Sequence, residues 1–123
     1  MISKKKKRRL ISECMIYLKK FLETYNIWFQ PDNMKNRFEC IMEILGSSQA
    51  DFICLQEVTQ DFVKLLHSGR WDWVNDYFLG YYPMEWYDTV ILSKYKFRFT
   101  KNAFKKTRMS RSMTFAEVIG SKG

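Results

Sequence analysis

Asp51-Phe52-Ile53-Cys54-Leu55-Gln56-Glu57-Val58 is the stretch that decides the fold of this chain. Four consecutive apolar residues, Phe52 to Leu55, make a short buried strand. The strand stops at Gln56 and Glu57, and Thr59 then opens a helix. A carboxylate at the C-terminal end of a buried strand lies where α/β folds place their ligands. Burying it there is costly unless a cation or a hydrogen-bond donor meets it. Glu57 is therefore either a metal ligand or a paired structural acid.

Upstream, Phe21 to Phe29 has the β propensity of a strand, placed near Leu22 to Trp28, while Ile11 to Phe21 reads equally as helix. Gln30-Pro31-Asp32-Asn33 is a break with a helix start signal. Met34, Phe38, Ile41, Met42 and Leu45 follow at helical spacing, and Gly46 reads as the residue that closes this helix. Downstream, Thr59 caps a helix to about Ser68, with Phe62, Val63, Leu65 and Leu66 inward. Trp71 to Phe78 adds a short helical turn, and Thr89 to Leu92 is a second apolar run. Tyr95, Phe97 and Phe99 alternate with Lys96 and Arg98, as in a strand with one wet face. Ser112 to Ile119 is a last strand, and Gly120 to Gly123 a polar, flexible end. Strand and helix alternate first, and closely spaced strands follow. This order predicts an α/β fold with a parallel β-α-β unit over Tyr25 to Val58 and antiparallel hairpins after it.

The chain has 123 residues, of which 46% are hydrophobic and 17% aromatic, enough for one small packed domain. The formal net charge is +8, but Lys4 to Arg9 supply most of it. That run reads as a disordered basic tail over residues 1–10, a nuclear address or a phosphate-binding arm. Cys14, Cys40 and Cys54 show no C-x-x-C spacing. Cys40 and Cys54 read as small core residues of a protein in a reducing, intracellular compartment. No apolar run is long enough to span a membrane.

Two segments, Thr24-Tyr25-Asn26-Ile27-Trp28-Phe29 and Ala50 to Val58, joined by a helix carrying Arg37, resemble the endonuclease/exonuclease/phosphatase superfamily. Within it the chain is similar to tyrosyl-DNA phosphodiesterase 2-like members, with Tyr87 to Lys94 and Ser110-Arg111-Ser112 also fitting. The resemblance implies a DNase I-like two-sheet α/β sandwich with a mixed sheet, flanking helices and phosphodiesterase chemistry using Mg²⁺ or Mn²⁺. Glu57 would then hold the metal. Asn26 would orient metal, phosphate or the reacting groups, and Tyr87 and Arg111 would contact substrate. Substrates of such folds are phosphoesters, DNA and RNA among them. One or two protein carboxylates suffice for Mg²⁺, which keeps several waters.

The superfamily's later motifs are a histidine-bearing strand, an aspartate–asparagine pair and a terminal aspartate–histidine pair. They have no counterpart here, since His67 is the single histidine and reads as a helix-surface residue. The chain thus resembles the N-terminal half of the domain, over residues 11–119. Half a sandwich leaves a sheet face uncovered, so self-association is expected. Lys94, Lys96, Arg98, Lys101, Lys105, Lys106 and Arg108 interleave with aromatics, either as a nucleic-acid surface or as the wet face of an ordinary strand.

Overall fold

A computed structural model describes residues 21–103 and 112–122. The basic run, the segment from Ile11 to residue 20, Lys105, Lys106, Arg108 and Arg111 all lie outside the described residues. The elements are β1 (Leu22–Asn26), α1 (Met34–Ser48), β2 (Phe52–Thr59), α2 (Gln60–Leu66), a 3₁₀ turn (Asp72–Asp76), β3 (Phe78–Gly80), β4 (Tyr87–Ser93), β5 (Tyr95–Ala103) and β6 (Ser112–Lys122).

The decisive stretch is the second strand of a four-stranded mixed sheet of order β1-β2-β4-β3. β1 runs parallel to β2, so β1-α1-β2 is the expected unit. β2 and β3 pair antiparallel with β4. β5 and β6 form a separate antiparallel ribbon that continues to Lys122, past the strand end that the apolar pattern suggests.

One face of the sheet carries the core. Ile53 pairs with Leu92 and Leu55 with Val90, and all four are fully buried. Each such burial contributes about 1.5–3 kcal/mol. Phe38, Ile41, Met42 and Leu45 of α1 and Phe62, Val63 and Leu66 of α2 join them in one cluster. Thr59 caps α2 as expected, its hydroxyl accepting from the Phe62 amide at 3.5 Å.

Two readings of α1 need correction. Gly46 does not end the helix, which continues to Ser48 and is closed by Gln49 in a left-handed conformation (φ 51°). Gly46 is there for space, because a Cβ on it would lie 2.5 Å from Trp73 Cδ1. Cys40 is not a core residue. It is exposed, off the Phe38–Ile41–Leu45 stripe that faces the sheet. Cys54 is half-buried, and burial pushes its thiol above the ordinary 9.0.

The second face of the sheet is covered unevenly. At its β3 end the ribbon closes on it, since a Cβ on Gly80 would meet the Phe97 ring at 2.6 Å and the Phe99 ring at 2.8 Å. This uses the apolar side of β5, while Lys96 and Arg98 stay exposed, as the alternation predicts. At the β1 end Leu22, which pairs with Phe52, is 60% exposed, and Thr24, which pairs with Cys54, is exposed too.

Candidate active site at the strand ends

β2 does not stay regular to its end. Leu55 pairs with Val90 and Val58 with Asp88, so Gln56 and Glu57 together face the single residue Thr89. This is a β-bulge. Glu57 takes up the extra residue with φ 54°, a left-handed conformation that a non-glycine residue rarely adopts. The bulge also resets the alternation, so that Ile53, Leu55 and then Val58 all turn into the core. Strained backbone of this kind concentrates at functional positions.

Glu57 is half-buried as a residue, and its carboxylate has no hydrogen-bond or ion-pair partner among the described residues. Helix capping does not account for it, because Thr59 performs that task. The neighbouring strand end brings Asn26 alongside, in register with Gln56, and the Ile27 amide continues the ladder to the Gln56 carbonyl at 2.8 Å. Asn26 satisfies a strand-end backbone group: its Oδ1 accepts from the Trp28 amide at 2.8 Å. A backbone N–H can only donate, so this contact fixes which way the side-chain amide is turned. The Asn26 –NH₂ is left without a partner among the described residues.

Tyr87 is the third of the four residues singled out in the sequence. It opens β4 opposite Thr59 and stacks on Phe29, rings parallel within 5° and centroids 4.6 Å apart. Its neighbour Trp86 is 80% exposed. The two border a cleft of about 460 Å³ with Phe29, Met34, Thr59 and Asp61, and a second of about 340 Å³ with Asp88 and Lys101. Asn26 and Glu57 are not among the residues lining either cleft, although Thr59, two residues after Glu57, lines the larger one. Phe29 was not singled out in the sequence. Its stacking on a residue 58 positions away leaves no local signal.

Three of the cations read as a nucleic-acid surface are engaged within the fold. Lys94 donates to the Gln49 carbonyl at 3.0 Å, Arg98 pairs with Glu117 at 3.6 Å, and Lys101 pairs with Asp88. The largely buried pair Lys101–Asp88 ties β5 to β4 one residue from Tyr87. This favours the ordinary-strand reading of that alternation. His67 is exposed at the end of α2 and meets the Tyr81 hydroxyl at 2.9 Å, a surface position as expected.

Residues 24–115 match the family model described as the Endonuclease/Exonuclease/phosphatase family. The chain belongs to that family. Members of the Endonuclease/Exonuclease/phosphatase family among solved structures share its DNase I-like fold. D. rerio TDP2, crystallised with a single-strand DNA product, matches with a TM-score of 0.73 at 22% identity, over 84% of this chain and 42% of its own. Truncated Caenorhabditis elegans TDP2 matches with a TM-score of 0.67 at 21% identity, over 81% of this chain and 40% of its own. The chain thus spans about two fifths of the length of these two structures. No curated protein sequence matches it. Among the described residues no group of three or more His, Cys, Asp or Glu side chains could hold a metal ion, and no helix is long and apolar enough to cross a membrane.

Proposed function

We propose that the chain carries part of the active site of a divalent-cation-dependent phosphodiesterase, with Glu57 as the metal-holding carboxylate and Asn26 as an amide that faces the phosphate. The observation that carries this reading is the Glu57 carboxylate, unpartnered among the described residues and carried on a left-handed bulge residue, next in sequence to Gln56, with which Asn26 of the neighbouring strand is in register. One carboxylate with water and substrate phosphate suits Mg²⁺, and Mn²⁺ accepts the same oxygen donors. When bound, the ion supplies Lewis-acid polarisation of the phosphoryl oxygen.

The chain's own residues divide the remaining work. With Oδ1 accepting from the Trp28 amide, the –NH₂ of Asn26 is the group turned to donate to phosphate oxygen, while the second lone pair of Oδ1 keeps the metal role that the resemblance implies. Tyr87 and Trp86 offer ring faces on which a base stacks, a sequence-tolerant interaction worth about 1–3 kcal/mol per base. Arg111 belongs to the proposal as a bidentate phosphate contact. The substrate is a phosphoester, in the finer reading one on a nucleic-acid strand. Nuclear or other intracellular placement through Lys4 to Arg9 is part of the same proposal.

Proton transfer to the leaving oxygen requires groups of the histidine and aspartate type. The chain supplies none of the family's later motifs, so residues 1–123 bind metal and phosphate without turnover. The test is a Mg²⁺ and Mn²⁺ titration of the purified chain followed by thermal unfolding. The wild type is stabilised and Glu57→Gln is not. Equal stabilisation of both refutes the metal assignment, and metal-dependent turnover lost on Glu57→Ala refutes the inactivity. A second reading, a basic nucleic-acid-binding fragment without catalysis, would show steep salt dependence that survives Glu57→Gln. The engagement of Lys94, Arg98 and Lys101 weighs against it. A third reading, an inactive remnant that self-associates, draws support from exposed Leu22 on the thinly covered sheet face.

A further inference from the structure

We infer that Arg37 is a positioning residue for Asn26, acting through the Trp28 peptide. The inference rests on the proposed role of Asn26 as a donor to phosphate. Arg37 stands in the first turns of α1 and reaches back over the loop that follows β1. Its Nη2 donates to the carbonyls of Trp28 at 2.7 Å and Gln30 at 2.8 Å, and its Nη1 to the carbonyl of Asp32 at 2.5 Å. Its guanidinium carbon also lies 4.8 Å from the centroid of the Trp28 ring. No carboxylate pairs with it among the described residues.

Trp28 is the hinge of the arrangement. It is left-handed at φ 63°, a conformation that its side chain disfavours and that outside contacts must therefore hold. Arg37 grips its carbonyl and its ring from one side. Its amide, on the other side, is the donor that engages Asn26 Oδ1 at 2.8 Å. Two contacts on one residue thus connect the guanidinium to the orientation of the catalytic-site amide. If Trp28 relaxes to an ordinary right-handed or extended conformation, its N–H swings away. Asn26 Oδ1 is then freed, and the –NH₂ loses its fixed direction. A flat fork with five donors can meet three carbonyls and a ring together, whereas a lysine ammonium cannot span them.

The experiment uses the ¹⁵N-labelled full chain, read by NMR first without ligand. In the wild type the Trp28 amide is protected from hydrogen exchange like its neighbour Ile27, whose amide belongs to the sheet ladder, and the two Asn26 Nδ2 protons are distinct. In Arg37→Lys, with the circular dichroism of the fold retained, Trp28 exchange accelerates at least about tenfold and the Asn26 amide signals move toward those of a free side chain. Methylguanidinium restores both in Arg37→Ala. A role confined to helix stability would leave the Asn26 signals where they are. Unchanged Asn26 signals in a folded Arg37→Lys overturn the inference. So does an unprotected Trp28 amide in the wild type, which settles the matter even where the variants do not fold. Inorganic phosphate with Mg²⁺ is added last. If it leaves the wild-type Asn26 amide unmoved, the phosphate role of Asn26 fails, while the ligand-free coupling to Arg37 is judged separately.

Discussion

Replacing Glu57 with glycine is expected to make the protein more stable than replacing it with alanine, although both remove the same carboxylate. The reason is the φ of 54° at this position. A side chain in the left-handed region costs about 1–2 kcal/mol, because Cβ crowds the following carbonyl oxygen. Alanine keeps that penalty and glycine removes it. Glycine also gains freedom in the unfolded chain, which takes back about 0.5–1 kcal/mol. The net expectation is Glu57→Gly above Glu57→Ala by about 0.5–1 kcal/mol, or a few degrees in Tm for a domain of this size. Urea unfolding at pH 7 with an unchanged slope measures it. Neither variant should respond to Mg²⁺. Alanine equal to or more stable than glycine would mean that the bulge carries no strain at Glu57, and the argument that function maintains an unfavourable backbone there would fall.

Three further outcomes follow from the same structure. Gly46→Ala, ordinarily stabilising within a helix by about 1 kcal/mol, should instead destabilise by about 1–2 kcal/mol through collision with Trp73. In a Trp73→Ala background its sign should invert, and chemical denaturation of the four proteins checks both. Stability should fall as pH rises above 9, because the unfolded chain releases the Cys54 proton at the ordinary 9.0 while the folded chain, with a raised value, retains it. Tyr77 extends the decline above 10.0, its hydroxyl raised by burial and then by the charges of Asp51, Asp76 and Glu23. Cys54→Ala should flatten the first part of the curve, and a denaturation midpoint flat from pH 8 to 11 would refute the assignment. The purified chain should elute from size exclusion above its monomer mass, and Leu22→Lys should shift it toward monomer. A clean wild-type monomer would show the open face to be harmless.

The parts of this fold that were legible in the sequence rest on short-range chemistry. The run Phe52 to Leu55, the Phe38–Ile41–Met42–Leu45 spacing, the Thr59 cap and the Tyr95–Phe97–Phe99 alternation each express a local period or a local hydrogen bond. All appear as read. What escaped depends on distant partners. Gly46 looks the same in sequence whether it closes a helix or makes room for an indole 27 residues away. Cys40 is the exception, because it follows Glu39 and falls off the Phe38–Ile41–Leu45 stripe, so the helical period itself places it outside. For the site, Asn26 ends β1 in register with Gln56, and Glu57 follows at a bulge inside β2, two residues before that strand ends at Thr59. The bulge, the turned amide and the Arg37 contacts come from strand register and from a loop whose path no local pattern encodes. Lys101 read as a surface charge because its partner, Asp88, lies on another strand.

The extra residue in β2 is one that the hydrophobic interior does not need. Removing one residue between Leu55 and Val58 would straighten the ladder and leave Val58 two positions after Leu55, still facing the core, while the carboxylate would lose its left-handed seat. What the spacing at positions 56 and 57 fixes is the place of the acid, and the packing behind it would survive without the insertion.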